Sequence, residues 1–201
     1  LVLSFIPSIK RIFVKSENAA YTLSEISPLV ERVKISKVIK QRNGVSETYS
    51  IALLSDANNK ITIAIPIKIS GTDIFILDIQ EEVPKLFCDF PLIGTNDFKF
   101  PVIVNSSSFN PNEPRNGIFL QDKDEQEITE NKSLLQSATE LYFELIDTAS
   151  KHNWIDAYKL AKIYANKDFN WLSTKWYEET ILNKAEPNYS PRILLTQTIL
   201  V

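Results

Sequence analysis

Alternating apolar and polar positions dominate the first part of the chain and predict β-strands. Residues 60–69 place isoleucine at every second position, which is the period of a strand with one buried face. Pro66 cannot donate to a sheet ladder, so it indicates an edge strand or a bulge. Residues 30–41 alternate in the same way. Asn43 and Gly44 follow them, and this dipeptide accepts the positive φ angles of a tight hairpin turn.

Further strand signals extend the predicted sheet in both directions. Residues 46–55 and 72–79 return along their neighbours and complete an antiparallel meander. The apolar start of the chain, residues 1–13, predicts another strand. Residues 86–90 and 100–105 predict two short strands with a loop between them, and we expect their apolar side chains to be largely buried, namely Phe87, Phe90, Phe100, Val102 and Val104. The first 120 residues are therefore expected to be mostly sheet.

The period of the apolar positions changes to 3.6 from Ser133 onward, which predicts helices. Ser133 and Gln136 have the spacing of a capping box at a helix N-terminus. The acidic stretch 121–130 before them predicts a linker. Residues 154–165 and 171–184 carry apolar and aromatic stripes that predict two more helices.

Together these patterns predict an α+β protein, with a mostly antiparallel sheet followed by a helical subdomain. We expect a β-rich domain over residues 1–125 and a helical subdomain over residues 126–201. Methionine is absent throughout, including position 1. We therefore expect the chain to be an excised fragment or a processed product, truncated at both ends, with a further domain upstream.

Composition and charge narrow the function classes. Of the 201 residues 44% are hydrophobic and 23% charged, which is near the average for a soluble globular protein. The net charge of −3 argues against a nucleic-acid partner. The sequence has no run of about 18 apolar residues, which is the length that predicts a membrane-spanning helix. We expect a cytoplasmic protein that binds neither nucleic acid nor membrane.

The chain has few residues of the types that perform catalysis. Cys88 is the single cysteine and lies in an apolar run, so we expect a buried structural thiol. His152 is the single histidine, and one residue of each type argues against a zinc site or a Cys–His nucleophile pair. The four glycines are too far apart for a phosphate loop. We expect no metal site and no catalytic constellation within this chain.

One polar loop, residues 110–117, suits phosphate recognition. Pro111 and Pro114 fix φ at two positions and stiffen it. A guanidinium held on such a loop, here that of Arg115, can donate in pairs to phosphate oxygens. Two other interpretations stay open, in which Arg115 pairs with Glu113 or caps a helix.

The segment around this loop resembles a known family. Residues 87–106 read FCDFPLIGTNDFKFPVIVNS, and residues 113–118 read EPRNGI. This pattern is similar to the segment after the ATP-binding domain of sacsin-like proteins. Those proteins carry a GHKL-type nucleotide fold related to the ninety-kilodalton heat-shock chaperones. The matching stretch, residues 86–120, covers about 35 of 201 residues.

The resemblance implies specific roles. In sacsin-like proteins a Leu-Pro-Val-x-Val-Asn-Gly strand is followed by an Asn-Arg-Arg loop; residues 100–105 match the strand, and residues 113–118 stand at the loop. By analogy with the chaperones, Arg115 would reach the γ-phosphate of a nucleotide held by the absent upstream domain. Asn105 and Asn116 fall in the matched motifs and join Arg115 as nucleotide-contacting candidates. Only one arginine is present, because Asn116 replaces the second.

The sequence therefore supports two candidate functions for this chain. The first is the middle, transducer-like segment of a sacsin-like, chaperone-like protein, which uses ATP and Mg²⁺ in its full-length form and needs no cofactor in this part. Its implied partner is the upstream nucleotide domain, while protein clients, a homodimer and ATP hydrolysis by the parent protein stay open. The alternative is a non-catalytic protein-interaction module that uses the helical half.

We predict that residues 1–201 alone neither bind ATP tightly nor hydrolyse it, because the sequence has no glycine loop to cradle phosphates. Calorimetric titration with Mg-ATP should give no micromolar binding. The parent protein with its upstream domain serves as the positive control. Micromolar affinity in the isolated chain would overturn this prediction.

Overall fold

A mostly antiparallel sheet with one long helix packed on it forms the architecture, and it confirms the predicted α+β class. The computed structural model describes residues 1–161 and 164–184. The strands are β1 (Arg11–Val14), β2 (Ala19–Val30), β3 (Val33–Arg42), β4 (Val45–Ser55), β5 (Thr62–Ser70), β6 (Asp73–Ile76), β7 (Leu86–Cys88), β8 (Phe90–Pro91) and β9 (Ile103–Asn105). The α-helices are α1 (Val2–Phe5), α2 (Gln126–Lys151) and α3 (Thr174–Tyr177).

The first five strands form a meander, and the later strands continue it. The order across the sheet is β1-β2-β3-β4-β5-β9-β7-β8, with β6 also paired to β5. Every pair is antiparallel except β7 with β9. The predicted hairpin at Asn43 and Gly44 is confirmed, because their φ angles are 49° and 78° and Arg42 pairs with Val45.

Pro66 lies in an interior strand without breaking it. On one side of β5, Pro66 is opposite Ile51 of β4. On the other side, β9 pairs with residues 62–64 and β6 pairs with residues 67–70. Pro66 therefore stands where β5 changes neighbours, and its carbonyl accepts from the Leu77 N–H at 3.0 Å. The missing N–H costs little at such a gap in the ladder, although the strand is not an edge strand as the sequence suggested.

Both faces of the central strands are buried. Ile63, Ile65 and Ile67 of β5 join the large core, whereas Ala64 between them belongs to a second, smaller cluster. The smaller cluster is covered by residues of the N-terminal segment, including Phe5. The period of two thus sends alternate side chains into different cores.

Helix α2 covers the isoleucine face of the sheet. Leu135, Ala138, Tyr142 and Leu145 of α2 are buried in the same core as the β5 isoleucines. The predicted division at residue 125 stays a prediction, but this core contains residues from both sides of it. Within the described residues, none of the helices has the length and apolarity that crossing a membrane requires.

An aromatic group extends the core towards the end of the described chain. Phe98 stacks with Phe100 at 6.1 Å between ring centroids and meets Trp171 and Tyr177 edge-on, each at 5.5 Å. The Tyr177 hydroxyl donates to the Lys99 carbonyl at 2.8 Å. These contacts attach the segment around α3 to the loop between β8 and β9.

The predicted element boundaries were wrong in the N-terminal segment and before α2. Residues 1–13 form α1 and then β1 rather than one strand, and Phe5 packs on the sheet instead of joining it. Helix α2 starts at Gln126, so the second half of the predicted linker is helix. Glu127 suits the positive end of the helix dipole. Ser133 is inside the helix and not its cap.

The helix predicted over residues 154–165 is shorter than its aromatic stripe suggested, whereas the one predicted over residues 171–184 is largely confirmed. The first is a 3₁₀ turn, Ala157–Ala161, and residues 164–169 have no regular structure. The second begins with α3, which the Ser173 hydroxyl caps by accepting from the Trp176 N–H, and continues through a π turn, Glu178–Leu182. Residues 174–184 are helical without a break, so the first three predicted residues alone lie outside this helix. Residues 162–163 and 185–201 lie outside the described part of the chain.

We predict that Phe100→Ala lowers the free energy of unfolding by about 3–5 kcal/mol, because its ring is 1% exposed and stacked in the core. Phe90, expected to be buried, is instead 54% exposed, since its strand is the end of the sheet. Phe90→Ala is therefore the matched control and should change stability by less than about 1 kcal/mol. Urea unfolding measures both. Equal losses would contradict the placement of Phe100.

Candidate functional site

The loop that carries Arg115 is closed at its base by backbone pairing. Pro111 and Ile118 form an antiparallel bridge. The Asn112 N–H donates to the Gly117 carbonyl at 3.1 Å, and the Phe119 N–H donates to the Asn110 carbonyl at 3.4 Å. The loop is therefore a short hairpin that projects from the end of the β9 segment.

Asn112 holds the tip of this hairpin from inside. Its Oδ1 accepts from the Asn116 N–H at 3.0 Å, and its Nδ2 donates to Asn116 Oδ1 at 2.7 Å. Its carbonyl accepts from the Arg115 N–H at 2.8 Å. Asn112 is only 9% exposed, so these bonds are shielded from water. The backbone of Arg115 is fixed at a defined position as a result.

The guanidinium of Arg115 is exposed and free. Within residues 1–161 and 164–184 it makes no hydrogen bond or ion pair, so neither a pair with Glu113 nor a helix cap occupies it. Its φ of 52° lies in the left-handed region, which is uncommon for a residue with a long side chain. The tip therefore combines an anchored backbone with an arginine fork that has all its donors available.

The base of the hairpin is clamped by helix α2. Asn131 is fully buried, and its Oδ1 accepts from the Asn110 N–H at 2.8 Å. Its Nδ2 donates to the carbonyls of Asn110 at 2.9 Å and Phe119 at 3.1 Å. One side chain thus bridges both strands of the hairpin. Asn110 also donates to Glu130, and hydrogen bonds from Gln126 and Asn110 lower the Glu130 pKa.

Two glycines let the hairpin approach its neighbours closely. A Cβ on Gly117 would lie 2.4 Å from Cδ2 of Trp171, so the indole packs directly on the glycine backbone. Gly94 has a φ of 104°, and a Cβ there would meet the Cβ of Asn116 at 3.3 Å. The hairpin is therefore seated between Trp171 and the turn that contains Gly94.

The other two predicted nucleotide contacts have structural partners. Asn105 is buried in β9, where its Oδ1 accepts from the Asp89 N–H at 2.9 Å and supports a turn in which Asp89 has a φ of 61°. The Asn116 side chain is bonded to Asn112 at the hairpin tip. The structure thus brings Asn116 beside Arg115, whereas Asn105 serves the turn between β7 and β8. Their roles towards a nucleotide stay predictions.

Cys88 and His152 lie in ordinary structural settings. Cys88 is half-buried rather than buried, with its sulfur 3.6 Å from the Phe109 carbonyl oxygen. His152 is exposed, and its Nε2 lies 3.1 Å from Glu31. Hydrogen bonds from Lys151 and His152 lower the pKa of Glu31. In the part of the chain that the structure describes, no three His, Cys, Asp or Glu side chains cluster as a metal site would require.

The structure also contains a cleft around Lys85 that the sequence patterns did not indicate. Burial, and to a lesser degree the neighbouring charge of Lys99, lowers the Lys85 pKa to about 8. Lys85 directly precedes β7, and the residues that surround it come from distant parts of the chain. Its position next to Pro84 in the sequence gives no periodic signal of this burial.

Comparison of this chain with models of known protein families, with curated proteins and with solved structures finds no match. The resemblance to sacsin-like proteins consequently depends on residues 86–120 alone. The exposed guanidinium of Arg115 and the hairpin that holds its backbone are the structural features that bear on function.

We predict that Asn131→Ala destabilises the protein by about 2–4 kcal/mol, because it removes the partner of the half-buried Asn110 N–H and Phe119 carbonyl and one of the two donors to the Asn110 carbonyl. Gln136→Ala, an exposed position on the same helix, is the control and should stay within about 0.5 kcal/mol. Urea unfolding gives both values. Amide hydrogen exchange should also quicken in residues 110–119 of the Asn131 variant, and unchanged protection there would contradict the clamp.

Proposed function

We propose that this chain is the middle, transducer-like segment of a sacsin-like, GHKL-type ATP-binding protein with a chaperone-like role. In this proposal Arg115 contacts the terminal phosphate of a nucleotide held by an upstream domain. ATP and Mg²⁺ belong to that domain, and the whole protein acts in the cytoplasm. The observation that carries the proposal is the free guanidinium of Arg115 on an internally locked hairpin.

A phosphate-contacting arginine needs a fixed backbone and unoccupied donors. The bonds from Asn112 to Asn116 and Arg115 supply the first requirement. The exposure of Arg115 and its lack of a carboxylate partner among the described residues supply the second. A planar guanidinium can then donate two parallel hydrogen bonds to phosphate oxygens.

The anchoring of the hairpin matters for catalysis as well as for binding. A donor that is already in place when charge develops on a transferring phosphoryl group stabilises the transition state without reorganisation. Arginines supplied to nucleotide sites in this way contribute about 10³–10⁵ in rate in well-studied hydrolases. Asn131 and Trp171 would act as positioning residues, since they seat the hairpin from below.

We predict that Arg115→Ala lowers ATP turnover of the full-length protein at least tenfold while the stability of the 201-residue chain stays nearly unchanged. The reason is that the side chain is exposed and its loss empties no core. Arg115→Lys should rescue poorly, because an ammonium cannot reproduce the paired donors. Steady-state ATPase assays and urea unfolding measure the two effects.

Arg11→Ala is the matched control, because Arg11 is also exposed. It lies on β1, at one end of the sheet, whereas the Arg115 hairpin follows β9 in the chain. It should leave turnover unchanged. Wild-type turnover in the Arg115→Ala protein would remove the transducer proposal for this hairpin.

A protein-interaction module is the second candidate, and one observation favours it. Three large side chains after α2 are exposed: Ile155 by 38%, Tyr158 by 39% and Tyr164 by 58%. Aromatic side chains of this kind are enriched at protein interfaces. If this candidate holds, replacing Tyr158 and Tyr164 by Ser should abolish binding of the full-length protein to its protein partner. In that case the Arg115→Ala variant should turn over ATP as the wild type does.

A further inference from the structure

A cleft of about 210 Å³ opens on the side of the sheet where β5 and β6 meet the segment between β8 and β9. Its accessible apolar lining comes from the exposed Leu77 and Tyr164 and the half-buried Ile79, whereas Phe98 and Phe100 beside them are almost fully buried. The cleft is therefore large enough for a small organic molecule.

Lys85 is part of the lining of this cleft and lacks an acidic partner. Within the described residues its amine forms no hydrogen bond or ion pair. Lys85 is half-buried, so its amine is partly withdrawn from water without a carboxylate beside it. Among the described residues this cation therefore has no anionic partner.

The other charged groups of the cleft do not neutralise Lys85. Lys159 is engaged by Asp78 at 3.3 Å and Asp156 at 3.2 Å, and it donates to the Ile76 carbonyl at 3.0 Å. Lys99 adds a second positive charge that acts on Lys85. Glu81 and Tyr164 complete the titratable lining, and both are exposed. Among the described residues, the carboxylates of this region therefore pair with Lys159 or face water, and none pairs with Lys85.

We propose that this cleft is a binding site for a small carboxylate with an apolar chain, whose carboxylate pairs with Lys85 while its chain packs on Leu77 and Ile79. A carboxylate with one negative charge matches one half-buried amine, because Lys99, the other cation of the lining without a carboxylate partner in the described chain, is exposed and solvated. This site is separate from the Arg115 hairpin and does not depend on the function proposed for it.

The proposal has a definite pH dependence. Burial and Lys99 lower the Lys85 pKa to about 8, so the free protein holds a charged amine at pH 7 and a largely neutral one at pH 9.5. A bound carboxylate favours the charged form and raises that pKa. The affinity for the carboxylate is therefore higher at pH 7 than at pH 9.5, and it falls as the pH rises above 8.

The test is a titration of the 201-residue chain with hexanoate, followed by NMR and by calorimetry. At pH 7 hexanoate should bind, and hexanamide, which has the same shape without the charge, should bind at least tenfold more weakly. Raising the pH to 9.5 should weaken hexanoate binding at least fivefold. These two comparisons use the wild-type protein and do not depend on the folding of any variant.

Variants locate the site. Lys85→Met should weaken hexanoate binding at least tenfold, Lys85→Arg should keep most of it, and Lys68→Met, an exposed lysine on β5, should leave it unchanged. Arg115→Ala should bind hexanoate as the wild type does, which separates this result from the ATPase test. The proposal is overturned by equal binding of hexanamide, by binding that is indifferent to pH, or by full binding in Lys85→Met.

Discussion

The packing of helix α2 on the isoleucine face of β5 is the contact on which the rest of the structure depends. Ile63, Ile65 and Ile67 are almost fully buried there, against Leu135 and other residues of the helix. Each fully buried isoleucine contributes roughly 1.5–3 kcal/mol through the removal of apolar surface from water. The sheet supplies an apolar face, and helix α2 covers it.

The same helix connects the core to the candidate site. Asn131 follows the first turns of α2 and is fully buried, where it bonds to both strands of the Arg115 hairpin. The hairpin therefore cannot shift far without disturbing a helix that is packed on the sheet. The backbone of an exposed arginine obtains a fixed position in this way, although its guanidinium makes no hydrogen bond or ion pair within the described chain.

The hairpin and the cleft each contain a cation without an anionic partner in the described chain, but Arg115 is exposed and Lys85 is half-buried. The guanidinium of Arg115 is exposed to solvent, and in the proposed function its partner is a phosphate held by another domain. Lys85 is partly withdrawn from water and lies near Lys99, and both effects lower its pKa to about 8. The aromatic group lies between the two sites, because Phe98 and Phe100 line the cleft while Trp171 packs on Gly117 of the hairpin.

The sequence by itself determined the α+β class, the turn at Asn43 and Gly44, and the burial of Phe100, because these follow from local period and backbone preference. It also singled out the Arg115 loop, since prolines and an arginine are readable without a fold. Only the tertiary structure decided that Phe90 is exposed, that α2 starts at Gln126 and that the helix predicted over residues 154–165 is a short 3₁₀ turn. It alone placed Asn131 beneath the hairpin and Lys85 in a cleft, because both positions arise from contacts between residues far apart in the chain, and no local pattern encodes those contacts.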